Sequence, residues 1–382
     1  MDNFLLNNFT IKELFDASKG ALGKLFIKDE DFPTKKQERY RNFNIEEILI
    51  KQKYLKGEDL NFTDIVEIND NDRTKIKIKK VSIETLKNNN IGTDNFFQKL
   101  SFLLTKDIFL IDVLDSLSDV LRISYKIKDS KDSSVNAPIY ILNVHKGVSL
   151  KLSEMIFDNS NNISSLLLPV SYISLDDNSK LDCYRYIETK NNKVILNSNV
   201  SLKKSSNYNL INLNFASSMI RQDIEINLED EKSNSNVSSV NFSSDKGLVD
   251  NFININHSAS YTNSSEDFKY VLNDFSKTYF TGEIFVNKGL EKIDASQNCK
   301  SILLSKEARA FARPWLKIFA DDVKCSHGAT FGELDKDALF YLETRGISED
   351  LAKKILLNAF IEEVLQKIED EKFLQICESK IS

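Results

Sequence analysis

Leu210-Ile211-Asn212-Leu213-Asn214-Phe215 and Ile224-Glu225-Ile226-Asn227-Leu228 alternate apolar and polar residues. Side chains two apart on an extended chain share a face, so this period specifies strands with one buried side. The same alternation recurs in Ile76-Lys77-Ile78-Lys79 and Phe252-Ile253-Asn254-Ile255-Asn256. Further short runs follow at Ile108–Val113, Ile139–Val144, Leu166–Ile173, Lys193–Val200 and Leu316–Phe319. No long helical pattern separates them, which argues against strand–helix–strand units. The stretches between are rich in Asn and Ser, at Asn159–Asn162, Asp176–Ser179, Asn191-Asn192 and Ser233–Ser239, and read as turns. Over two hundred residues of short strands fit a sandwich, a barrel or a β-solenoid. The pattern has no strict hexapeptide period and leaves that choice open.

Composition agrees with many short turns of an unusual kind. The 382 residues include 11 Gly and 4 Pro, where average usage gives about 27 and 19. Asn tolerates the left-handed conformation and is expected to stand in for the missing Gly. A net charge of −6 offers no basic stripe for nucleic acid. Cys183, Cys299, Cys325 and Cys377 are scattered without a C-x-x-C pair, which excludes a locally spaced zinc ribbon and suits a reducing compartment. No apolar run is long enough to cross a membrane. Met1-Asp2-Asn3-Phe4 lacks the start of a secretory leader. A cytoplasmic protein is expected, or a stromal one if organelle-encoded.

Helical patterns flank the strands. Phe4, Leu5, Phe9, Ile11, Leu14 and Phe15 recur at loose helical spacing, and Asn44 is placed to cap a helix over Ile45–Leu55, ended by Gly57. After about residue 333, Leu334, Ala338, Leu339 and Leu342 form an apolar stripe that Gly346 stops. Ser348 then caps a second helix whose stripe is Leu351, Ile355, Leu356, Ala359, Phe360 and Val364. The two make a helical hairpin. Its stripe either packs on the chain's own body or offers a platform to another subunit. The expected organisation is a helical region over 1–95, a β core over 96–330 and a helical region over 331–382.

Neither G-x-x-x-x-G-K-[ST] nor G-x-G-x-x-G occurs, so no phosphate-cradling loop is visible. There is no G-x-S-x-G or H-E-x-x-H, and the only histidines are His145, His257 and His327. Asp321-Asp322 reads as a solvated pair at a strand end, because neighbouring strand residues face opposite ways and cannot easily flank one glycosidic bond. The densest reactive cluster is Asp321-Asp322-Val323-Lys324-Cys325-Ser326-His327-Gly328-Ala329-Thr330. If extended, it puts Cys325 and His327 on one face, roughly 6.5–7 Å apart at Cα. Both could reach one metal ion or sulfur cluster, but two ligands do not complete a tetrahedral site. The remaining ligands would come from elsewhere, such as a second chain. The plain alternative is a buried Cys and a structural His.

Asp321 through Thr330 resembles the signature of the SufB/SufD family of the sulfur-mobilisation iron–sulfur assembly system. The likeness continues through Gly332-Glu333-Leu334-Asp335, Ala338-Leu339-Phe340-Tyr341-Leu342, Arg345-Gly346-Ile347 and Ala359-Phe360. Asp31-Phe32-Pro33-Thr34-Lys35-Lys36 with Glu38, Tyr40 and Arg41 resembles the family's N-terminal stretch, with Tyr40 where Trp is usual. His257 to Ser264, Tyr279-Phe280-Thr281-Gly282 and Asp294-Ala295-Ser296-Gln297 resemble its middle, with Ser260 where Pro is common. The SufB branch would show a Cys-rich N-terminal half and His-Glu-Ala-Thr, whereas this chain has His327-Gly328-Ala329-Thr330. The resemblance is therefore to the SufD branch.

That resemblance implies a right-handed parallel β-helix with helices at both ends, and a non-catalytic scaffold. It implies pairing with a SufB-like subunit through the β-helix and docking of a SufC-like ABC ATPase on the C-terminal helices, at Leu334, Leu339, Leu342, Arg345 and Phe360. His327 matches the histidine implicated in cluster assembly at the SufB interface, as a tentative transient iron ligand or a proton shuttle. Cys325 matches a commonly present cysteine there. No stably bound cofactor is implied, only a transient iron–sulfur cluster, and neither nucleic acid nor a membrane is an expected partner. The alternatives are a secreted-type polysaccharide-active β-helix enzyme and a purely structural solenoid.

Overall fold

The structure, a computed structural model, describes residues 9–14, 16, 32–56, 66–81, 95–105, 108–127, 132–158 and 164–381. Two long sheets run side by side, one of 13 and one of 9 strands among the described residues. The chain alternates between them, laying one strand in each before climbing. Pairing within the stack is parallel, as in Asn207–Ala216 on Asn234–Ser243 and Met219–Leu228 on Leu248–His257. Register partners lie 27 to 32 residues apart. The result is a parallel β-solenoid of about 7 turns, which closes the choice that the alternating pattern left open.

Inward residues of both sheets form one continuous core. Val194, Leu196, Leu210, Ile224, Ile226, Val237, Ile253 and Phe280 all belong to it and are buried. Outside, polar side chains stack as ladders between coils. Asn209 donates to Asp182 at 2.7 Å, Asn236 to Asn209 at 2.8 Å and Ser265 to Asn236 at 2.7 Å. Each rung satisfies an amide that would otherwise compete for backbone groups.

The corners explain the shortage of glycine. Gly147, Asn178, Ser205, Lys232 and Tyr261 occupy the left-handed region at successive turns of one corner. Among the described residues Asn fills this role only at Asn178; elsewhere Ser, Lys, Tyr and, at Asp245 and Asp274, Asp take it. The coil above compensates, because Gly147, Asn178, Ser205 and Tyr261 each donate a backbone N–H to a carbonyl one coil on, at 2.9–3.0 Å. The next residue is a buried hydroxyl bonded back to the turn, at Ser179, Ser206, Ser233 and Thr262. Ser233–Ser239, read as a turn, is instead mostly strand, inside Asn234–Ser243. Ser235 and Ser239 are buried there because small side chains suit a narrow core.

Flanking segments cover the outer faces. Helix α1 (Phe96–Leu104) packs with Tyr40, Phe43, Ile48 and Tyr54 against Leu166, Ile195 and Met219 of one sheet. The region before α1 is less helical than expected. Its described residues hold strands Lys53–Lys56, Val66–Glu67 and Ile76–Val81 and a π-helix over Glu46–Lys51. Asn44 does bond the first turn, accepting from the Glu47 N–H at 3.3 Å. The helix stops before Leu55 because Lys53–Lys56 pairs with Ser134–Asn136 in the sheet. Phe4, Leu5, Phe15, Asp31, Gly57 and the Asn159–Asn162 turn lie outside the described residues.

The other sheet is covered by the C-terminal helices α2 (Lys336–Thr344), α3 (Glu349–Leu365) and α4 (Glu371–Ile381). Ile361, Val364, Phe373 and Cys377 bury against Tyr184, Tyr186, Ile211, Leu213 and Val240. An aromatic ladder, Phe157–Tyr186–Phe215–Phe242, runs beneath them with ring centroids 5.1–5.4 Å apart. The expected α3 stripe holds in part: Val364 is buried and Leu356 and Phe360 are half-buried, whereas Leu351, Ile355 and Ala359 are exposed, and Ala352 and Ile361 are buried in their place. Helix α4 went unread, since Phe373 and Cys377 are its only buried positions.

Candidate functional site at the open end of the solenoid

Asp322–Gly332 is the last strand of the smaller sheet, hydrogen-bonded on one side only, to Glu291–Leu303. Arg309–Ile318 ends the other sheet in the same way. Both free edges therefore sit on one terminal coil, and an uncovered edge is a template for another chain. Phe311, Trp315, Phe319 and Phe331 are exposed around it. Apolar side chains massed at an open edge mark an interaction surface rather than a solvated end.

Cys325 and His327 lie in this edge strand. Their register partners are Ala295 and Gln297, both buried, so the two reactive side chains share the core-facing side as the i, i+2 spacing predicts. Cys325 is half-buried against the core and His327 is exposed. Burial pushes the Cys325 thiol up, with the Asp294 carboxylate adding to it. The free chain thus holds a thiol there, which a metal ion would deprotonate on binding. Among the described residues no three His, Cys, Asp or Glu side chains converge as a metal site. Asp321 and Asp322 are exposed at the strand start, with Asp322 paired to Lys292 at 2.8 Å.

The hairpin residues lie alongside. Asp335 caps α2 by accepting from the Asp337 and Ala338 N–H groups at 2.9 and 3.1 Å. Leu334, Leu339 and Leu342 are half-buried, and the exposed Arg345 guanidinium sits 5.2 Å from the Tyr341 ring. Helix α2 buries no residue, and Phe340 and Tyr341 are 66% and 57% exposed. Phe360 faces the solenoid instead, 5.6 Å below Lys269 Nζ. A groove lined by Lys300, Thr330, Phe331, Leu334, Leu356 and Phe360 joins the edge strand to the hairpin.

The other histidines and cysteines lie outside this edge strand. His257 is fully buried, with Nδ1 2.7 Å from Thr262 Oγ1 and Nε2 2.9 Å from Ser264 Oγ. Burial lowers it to about 4, so it stays neutral. His145 is exposed, 3.9 Å from Asp112. Cys183, Cys299 and Cys377 are buried, and burial raises the last two to about 12. The N-terminal stretch around Arg39 and Tyr40 is a clasp. Arg39 pairs with Asp223 at 3.4 Å, Arg221 Nη2 donates to the Arg39 carbonyl at 2.7 Å, and the Tyr40 hydroxyl bonds Asn95 at 3.1 Å.

The long parallel solenoid thus has an open, aromatic-rimmed end that carries a thiol and an imidazole. The family model for the SUF system FeS cluster assembly SufBD core domain matches residues 126–360. The chain belongs to that family and is SufD-like. It is 36% identical over 121 residues to the iron–sulfur cluster assembly protein SufD of Escherichia coli K12, covering 32% of this chain and 29% of the relative. It is 30% identical over 167 residues to an iron–sulfur cluster assembly SufBD family protein of Synechocystis, covering 43% and 36%. The chloroplastic protein ABCI7 of Arabidopsis thaliana is 39% identical over 97 residues, covering 25% and 20%. The matched stretch thus spans about a third or less of these relatives' own lengths. The family is named for iron–sulfur cluster assembly.

Proposed function

We propose that this chain is a non-catalytic scaffold that binds a SufB-like subunit end-on and a SufC-like ABC ATPase on its C-terminal hairpin. The nascent iron–sulfur cluster is cargo, formed where Cys325 and His327 meet ligands from the SufB-like chain. One observation carries this reading. The two groups sit side by side on the only kind of edge that another solenoid can extend, with neither sealed in hydrocarbon. A neutral imidazole supplies a nitrogen lone pair or moves a proton, and a thiol becomes a ligand as it loses its proton. The exposed Phe340 and Tyr341 on α2, next to Leu334, Leu339, Leu342 and Arg345, give a compact amphipathic surface of the kind that docks a globular partner.

Co-expression of the three proteins, followed by size-exclusion chromatography and iron and sulfide analysis, tests the reading. The chain co-elutes with both partners. His327→Ala leaves that complex intact and abolishes cluster formation. Unchanged cluster yield would remove His327 from the site, and failure to co-elute with the SufB-like chain would overturn the scaffold role.

A further inference from the structure

His327 is the top rung of a column. Its register partner one coil down is Gln297, whose own partner one coil further is Glu266. Glu266 and Gln297 are each 2% exposed. Gln297 Nε2 donates to Glu266 Oε1 at 3.0 Å. Gln297 Oε1, the amide's acceptor, is buried and has no hydrogen-bond partner. An orphaned buried acceptor costs about 1–3 kcal/mol and is rare in folded interiors. The fold makes room for this pair by omitting a side chain beside it. A Cβ at Gly282 would lie 2.7 Å from Gln297 Nε2 and 3.0 Å from Glu266 Oε2.

Polar register partners in this solenoid bond to each other across one strand spacing. Asn214 donates to Asn241 at 2.7 Å and Asn256 to Asn227 at 2.8 Å. His327 stands at that same spacing above Gln297, on a rung open to water. Covering the edge removes the competing water. Resting on the reading that a SufB-like chain covers it, we propose that Gln297 is a positioning residue for His327. The ring N–H donates to Gln297 Oε1, which fixes one tautomer and leaves the second ring nitrogen's lone pair facing the covering chain. Gln297 Nε2 is taken up by Glu266, which leaves Oε1 as the unpartnered end of the amide. Burial raises Glu266 to about 8, so at neutral pH the column carries no charge that would draw a second proton onto the ring. Such an outer partner typically matters about 10–100-fold to a ligand's function.

With only three histidines, ¹⁵N-histidine labelling resolves each imidazole, and His327→Ala identifies the His327 signals. In the complex with the SufB-like subunit, His327 shows a single tautomer. Gln297→Leu gives a complex of unchanged size, a His327 averaging between tautomers, and a cluster yield lowered about tenfold. If Gln297→Leu does not fold, Gln297→Met makes the same comparison. An unchanged His327 spectrum in an intact variant complex overturns the positioning role and leaves the scaffold reading standing. If the wild-type chain fails to join the SufB-like subunit, both fall.

Discussion

Arg122 grips Asp370 across 248 residues of chain, through Nη1–Oδ2 at 2.6 Å and Nη2–Oδ1 at 3.0 Å. The forked guanidinium matches a carboxylate with two parallel bonds. Here it ties the loop between α3 and α4 to the strand Leu121–Ile127. Lys151–Glu369 at 2.7 Å and Lys380–Glu188 at 2.7 Å brace the same helices at more exposed positions.

Asp370→Ala leaves the Arg122 guanidinium without its partner in a largely buried site. The expected loss is about 2–3 kcal/mol. Hydrogen exchange followed by mass spectrometry locates it, with protection falling in α4 and persisting in the solenoid strands. Uniform loss across the chain would mean that α4 and the solenoid unfold as one unit.

His257 makes the protein sensitive to acid. Its pKa drops from 6.5 to about 4 because burial disfavours the imidazolium. The unfolded chain therefore binds the extra proton first. This contribution is fully present above pH 6.5 and is lost as pH falls through 4. The window is worth about 3 kcal/mol. Denaturant titrations across it show a slope that His257→Asn flattens. An equal slope in the variant would place the acid sensitivity elsewhere.

Glu266 acts at the other end of the pH range. Burial raises it from 4.5 to about 8, with the Gln297 amide offsetting part of the shift. The folded state holds the proton more tightly, so this contribution is full below pH 4.5 and lost as pH rises through 8. Glu266→Gln removes the ionisation and is expected to raise stability at pH 8 by about 4 kcal/mol. Thermal melts at pH 5 and pH 8 give the comparison; equal shifts at both would show that the side chain does not titrate there.

Two aromatic residues of the hairpin separate docking from folding. Phe340 is 66% exposed, so Phe340→Glu leaves circular dichroism and melting unchanged while weakening capture of the SufC-like ATPase. Phe360 lies half-buried over the sheet, so Phe360→Glu costs stability as well. Pull-downs with both variants decide the matter. Full ATPase binding by Phe340→Glu would remove α2 from the docking surface.

Local patterning reached far into this protein. Alternation within 210–215, 224–228 and 252–256 marked strands that run over 207–216, 219–228 and 248–257, because a half-buried strand leaves a period of two, and short apolar runs marked those at 108–113, 139–144 and 193–202. It also put Cys325 and His327 on one face. The solenoid itself was harder to see, since its period is a coil length that varies from 27 to 32 residues. The recurring hydroxyls Ser179, Ser206, Ser233 and Thr262, each after a left-handed residue, are the trace it leaves. Reading that spacing forward would have aligned Glu266, Gln297 and His327 one coil apart.

The amino-acid order alone settled which segments extend, where the hairpin turns, and which two reactive side chains share a strand face, because those follow from neighbours within a few residues. Only the folded chain decided that Lys, Ser and Tyr sit in left-handed corners, that Asp370 meets Arg122, and that His327 stands over an unpartnered amide oxygen. Each of those depends on contacts between residues a full coil or more apart, and such contacts exist only once the coils have stacked.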